Sequence, residues 1–171
     1  MKPRILIACI GNIFQGDDGF GTEVARRLTQ RSLPPEVILK DFGIRGLDLT
    51  YALLDPYELV ILVDACQQGG EPGTVYLIEP NAVAAEDAVP ARLEPHNMNP
   101  VSVLRVAKSM GSAPGRVLIV GCEPASLGPE EGTLGLSEEV AGAIEEAIAL
   151  IETLVSKAMA GWPVNEVLQT H

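Results

Sequence analysis

The chain has 171 residues, 47% of them hydrophobic, enough for one domain that buries roughly 70% of its unfolded surface without disulfide or metal staples. Its 23 acids against 12 bases give a net charge of −11, and no Lys/Arg cluster interrupts that balance, which argues against nucleic-acid binding and against docking on anionic membranes. Three cysteines, Cys9, Cys66 and Cys122, are odd in number and lack CxxC spacing, so neither a disulfide framework nor a structural zinc site is expected.

The N-terminal run MKPRILIACI is cut short by Gly11 and Asn12, too early for a signal peptide or a membrane span, and a cytoplasmic protein is expected. Ile5 to Ile10 has the length and composition of a strand buried on both faces. A glycine-rich bend carrying the adjacent acids Asp17 and Asp18 follows it. Phe20 to Leu28 then has helical spacing, so the acids sit where a strand hands over to a helix.

Pro34 and Pro35 break the chain before a second strand, Val37 to Asp41, and the bend Phe42-Gly43-Ile44-Arg45-Gly46. A short helix is predicted over Leu47 to Leu54. Leu59 to Val63, apolar throughout and closed by Asp64, is the strongest strand signal and is expected at the centre of a sheet. Thr74 to Ile78 reads as a further strand, reached without an intervening helix and therefore free to run antiparallel at an edge.

Pro80 to Pro95 shows no clear period and reads as an irregular crossing that delivers His96. A helix over Asn99 to Met110 is predicted, with Asn99 as cap and Pro100 in its first turn, where a missing N–H costs nothing. Arg116 to Val120 is the last strand. After Ser137 the final helix carries Val140, Ile144, Ile148, Ile151 and Val155 on one face, and the tail from Gly161 offers Trp162 as an anchor.

Strands alternating with helices predict an α/β three-layer sandwich, a twisted and mostly parallel five-stranded sheet flanked by helices. One domain over residues 1–160 is expected, with a tail over residues 161–171. Sites in such sheets form at the carboxyl ends of strands, which directs attention to Asp17, Asp18, Asp41, Asp64, Cys122 and Glu123.

Each has a plain structural reading. Asp64 can be a cap satisfied by backbone N–H groups, Asp17 and Asp18 can be first-turn acids favoured by a helix dipole, and the cysteines can be core or rim packing. Adjacent side chains diverge, so at most one acid of the pair points into a shared site. Held between Pro95 and Pro100, His96 can join two carboxylates in an O, O, N set. Such a set suits first-row divalent ions such as nickel, zinc or manganese and leaves coordination positions open.

GNIFQGDDGFG near the N-terminus, VDA at the end of the third strand and PH before the following helix resemble the hydrogenase maturation endopeptidases. That family trims the C-terminal extension of the nickel-containing hydrogenase large subunit. The similarity runs from Ile5 to about Leu154, and its first motif is the most specific. What the resemblance implies is a nickel-binding trio, Asp18, Asp64 and His96, which doubles as the catalytic set and leaves Asp17 as a cap or supporting group. It also implies a hydrogenase large-subunit precursor as partner and nickel that arrives with the substrate, with other first-row divalent ions able to substitute; a monomer is expected.

One departure stands out. Relatives often read Asp-Gly-Gly-Thr after the second strand, where this chain has Asp41-Phe42-Gly43-Ile44-Arg45-Gly46. Arg45 there can meet a substrate carboxylate or a surface acid, and the surface acid is the expectation. An intrinsic-metal peptidase and a two-carboxylate acid mechanism both stay open beside nickel brought by the substrate, and no HExxH, GxSxG or paired DTG-type motif is present to choose among them. The rival from another class is a phosphorylation-receiver module with magnesium at Asp17, Asp18 and Asp64. It lacks its Lys after the last strand, where this chain reads Gly121-Cys122-Glu123-Pro124. A dinucleotide site is weaker, because GxGxxG is missing and the acids would repel pyrophosphate.

Overall fold

A computed structural model describes residues 2–80, 99–127 and 134–163. In chain order, β1 (Ile5–Ile10) passes through a 3-10 turn (Gly16–Gly19) into α1 (Phe20–Leu28), followed by β2 (Val37–Gly43) and α2 (Gly46–Ala52). β3 (Leu59–Ala65), β4 (Val75–Ile78), α3 (Pro100–Ser109), β5 (Arg116–Cys122) and α4 (Glu138–Met159) complete it. The helix caps follow from side-chain chemistry: the Asn99 side chain accepts from the Val101 N–H, and that of Ser137 from the Val140 N–H.

The five strands lie in the order β2-β1-β3-β5-β4, with β3 central, all pairs parallel except β4 against β5. This is the mostly parallel sheet that the alternation predicts, with the antiparallel edge that the helix-free approach to β4 allows. β2, β3 and β5 each run two residues beyond their predicted ends. The ladder continues past the predicted ends, pairing Ile10 with Gly43, Asp64 with Gly121 and Ala65 with Cys122. Asp41, Asp64 and Cys122 are therefore held within strands rather than in the loops after them. α2 begins one residue early, at Gly46, and Leu53 is its C-cap.

Alternation along the strands divides the core between two faces. Ile5, Ile7, Cys9, Ile61 and Val63 meet Phe20, Val24 and Leu28 of α1 and Val140, Ile144, Ile148 and Ile151 of α4. On the opposite face Leu6, Ala8, Ile10, Val60 and Leu62 pack with Phe42, with Leu49 of α2 and with Val103 and Ala107 of α3. The result is a three-layer sandwich, helix on sheet on helix. Among the described residues no helix is long and apolar enough to cross a membrane.

Candidate functional site

Strand order reverses between β1 and β3: the chain leaves β1 for β2 on one side, then crosses back to β3 on the other. A crevice opens at such a switch point, outside the carboxyl ends of the strands. Two glycines let the backbone close around it. A Cβ on Gly21 would stand 2.6 Å from the Val63 carbonyl oxygen and nearer still to that of Ile10, so only a bare α-carbon lets α1 start directly above β1 and β3. A Cβ on Gly11 would collide with the Asp18 carbonyl. That close approach lets the Asn12 N–H donate to both the Asp18 carbonyl oxygen, at 3.1 Å, and Asp18 Oδ2, at 3.2 Å.

Asp18 and Asp64 lie near enough at this switch point for the charge of one to act on the other. Asp64 is only 7% exposed, and burial, together with the charge of Asp18, pushes its carboxyl well above the ordinary carboxylate range against a weaker opposing contribution from the Ala65 N–H. Asp18 is half-buried, and burial raises it too, opposed by the Asn12 N–H. No cation among the described residues pairs with either acid. Two carboxylates confined in this way either share a proton or hold a cation. The backbone donor that the plain capping reading of Asp64 calls for, the Ala65 N–H, is present but does not offset the cost of its burial beside Asp18. His96, the third residue of the expected trio, lies outside the described residues, as does the crossing segment that leads to it.

Asp17 points the other way, as expected for adjacent side chains. It is 1% exposed and sits in the 3-10 turn, not in the first turn of α1. Its Oδ2 accepts from the N–H groups of Ala125 (2.8 Å) and Ser126 (3.1 Å) and from Ser137 Oγ (2.9 Å), and its Oδ1 from the Ser137 N–H (2.7 Å). Burial opposes its ionisation, yet these four donors outweigh that cost and hold the carboxyl below its ordinary value. With both oxygens so engaged, Asp17 is not available to a magnesium site. A receiver sheet also runs 2-1-3-4-5 with every strand parallel. The order here, with β4 antiparallel at the edge, differs, and the receiver reading is set aside.

Glu123 is a role that the sequence did not disclose. Its carboxylate accepts from the Gln68 N–H (2.8 Å), the Gly69 N–H (3.2 Å) and the Tyr76 hydroxyl (2.9 Å), tying the loop after β3 to the β4–β5 edge and holding Glu123 below its usual range. The thiols of Cys66 and Cys122 are each pushed up to about 12, mainly by burial and then by neighbouring carboxylates, so neither offers a thiolate nucleophile at neutral pH. Cys9 is a core residue. Arg45 folds back on its own bend, donating to the carbonyls of Asp41 (2.7 Å) and Phe42 (3.1 Å) and pairing with Asp48 at 3.4 Å, which is the expected surface acid.

Comparison with known proteins places this architecture in a family. The family model described as hydrogenase maturation protease matches residues 22–154, a segment that contains Asp64 and His96 and begins just after the acid pair. The hydrogenase expression/formation protein HupD of Rhodobacter capsulatus is 34% identical over 133 residues, covering 74% of this chain and 60% of HupD. The chain thus spans about three fifths of the length of the curated relatives it matches first. Among solved structures, the hydrogenase maturating endopeptidase HybD of Escherichia coli superposes with a TM-score of 0.73 at 27% identity, over 91% of this chain and 93% of its own. A hydrogenase 2 maturation peptidase from a Thaumarchaeota archaeon gives a TM-score of 0.68 at 37% identity, over 90% and 98%. The chain belongs to the hydrogenase maturation protease family.

Proposed function

We propose that this protein is an endopeptidase that removes the C-terminal extension of a nickel-containing hydrogenase large-subunit precursor, and that Asp18, Asp64 and His96 recognise the nickel already inserted there. The observation that carries this reading is the confinement of Asp18 and Asp64 at the β1/β3 switch point, each raised by burial and Asp64 further by its neighbour's charge. A divalent cation arriving with the substrate relieves that repulsion and draws both carboxyls into the ionised form. Two oxygens and an imidazole nitrogen suit nickel and leave positions for the precursor's own ligands, so the ion stays with the substrate; other first-row divalent ions can substitute. The protein acts as a cytoplasmic monomer in this reading.

The test uses chelator-stripped protein mixed with nickel-loaded or nickel-free precursor, with the precursor mass followed over time. Loss of a short C-terminal peptide from the nickel-loaded precursor alone is the expected result. Cleavage of nickel-free precursor once zinc is added back to the protein would instead assign the metal to the enzyme. Asp18→Asn and Asp64→Asn are expected to slow processing on the order of 100-fold or more, the scale for losing a charged group at a reacting centre. His96→Ala is expected to behave likewise, and near-normal rates in any of the three remove that residue from the site.

A further inference from the structure

We infer that Asp17 is a positioning residue for this site, the anchor through which the loop between β5 and α4 fixes the pose of Asp18. This rests on the endopeptidase reading above for its kinetic consequence, but not for its geometry.

The turn that bears both acids is held from two sides. On one, the Asp17 N–H donates to the Ser126 carbonyl at 3.1 Å while Asp17 Oδ2 accepts from the Ser126 N–H, a reciprocal bridge to a residue 109 positions away. On the other, the Asp18 N–H donates to the Gln15 carbonyl and the Asp18 carbonyl accepts from the Asn12 N–H, both at 3.1 Å. Asp17 also spans the two ends of the β5–α4 connection, gathering Ala125 and Ser126 at its start and Ser137 at its end. Ser137 is the N-cap of α4, so one buried carboxylate couples the acid turn, the connection and a helix start. Adjacent side chains in so short a turn cannot reorient independently. With Asp17 locked by four donors, Asp18 is held on a turn near enough to Asp64 for its charge to act there.

All the partners of the Asp17 carboxylate are donors, so Asp17→Asn must turn an amide N–H2 toward either the Ser137 N–H or the group formed by Ala125, Ser126 and Ser137 Oγ. It keeps the size of the side chain and breaks the anchor. The experiment measures, at a temperature well below each variant's melting transition, kcat and KM on nickel-loaded precursor and the hydrogen-exchange rate of the Asn12 amide, which reports the pose of Asp18. For Asp17→Asn, kcat is expected to fall about tenfold or more with KM nearly unchanged, as for a small misplacement of a reacting group. Exchange at Asn12 is expected to quicken by about tenfold as its local protection is lost.

Ser137→Ala removes one of the four donors and should show about a threefold loss in kcat together with a smaller exchange change, while Ser137→Thr, which keeps the hydroxyl, restores both. This pair decides the matter if Asp17→Asn does not fold. A folded Asp17→Asn protein with wild-type kcat and exchange, or a fall in kcat with Asn12 exchange unaltered, overturns the inference. If the wild-type protein cuts no precursor at all, the endopeptidase reading fails, and Asn12 exchange alone decides whether Asp17 fixes Asp18.

Discussion

Asp17 and Asp18 are neighbours in sequence and opposites in chemistry, and the third acid, Asp64, makes the contrast measurable. Asp17 is buried with four donors and stays ionised; Asp64 is buried without such support and beside another acid, so its native form holds a proton more tightly than the unfolded chain does. Between the unfolded carboxylate pKa, about 3.9, and the raised native value, the folded state therefore binds more protons, and the stability linked to Asp64 falls as pH rises. The contribution of Asp17 has the reverse sign, present above the unfolded pKa and lost as pH falls through its lowered native value. Asp64→Asn, which cannot ionise, is expected to be more stable than the wild type at neutral pH in chelator-treated buffer, with the gap closing below about pH 4. Urea unfolding at both pH values checks this. A variant no more stable than the wild type at pH 7 would mean that Asp64 is not burdened by its burial.

Secondary-structure elements were legible where a local pattern specifies them. β1 and α1 keep the limits of their apolar runs, and the cap at Asn99 and the start of α4 after Ser137 could be named from residue type alone. Strand ends were not, because pairing of Asp64 with Gly121 or Ile10 with Gly43 depends on a partner strand distant in sequence. The same limit applies to the site. That an acid pair follows the first strand and Asp64 closes the third could be read from the alternation and the switch-point rule, and the resemblance singled out Asp18 of the pair, whereas the donors that claim Asp17 lie more than 100 residues distant and carry no motif. Gly21 belongs to this scale too, since what it permits is the seating of α1 on two strand ends. Gly21→Ala forces a methyl group against the Ile10 and Val63 carbonyls, backbone atoms fixed in the sheet. The expected cost is about 3 kcal/mol, at the upper end for overpacking, read as a lower urea midpoint with an unchanged slope. A cost below about 0.5 kcal/mol would show that α1 can shift away from the sheet.

At the scale of the whole molecule, the central strands β1 and β3 contribute side chains to both cores, so neither face can be lost while the other stays intact. α4 is the longest described element and presents Val140, Ile144, Ile148, Ile151 and Val155 to one face of the sheet, all 3% exposed or less. Its far end is tied to the sheet edge by Trp162, the only tryptophan, whose ring lies 4.0 Å from the Arg116 guanidinium and 5.4 Å from Lys157 Nζ; Arg116 in turn pairs with Glu79 at 3.0 Å. Trp162 fluorescence thus reports the contact between α4 and the β4–β5 edge, while far-UV circular dichroism reports all the helices together. Ile148→Ala, at a fully buried position midway along α4, is expected to cost about 2–5 kcal/mol through lost burial and the cavity it leaves. Because the sheet is shared, the two signals should still change together in one transition, in wild type and variant alike. A Trp162 transition that precedes the dichroism change would show instead that the C-terminal end of α4 can leave the sheet while the rest of the fold persists, and that the Trp162 tether, not the Asp17 anchor at its N-terminus, is the weaker end of the helix.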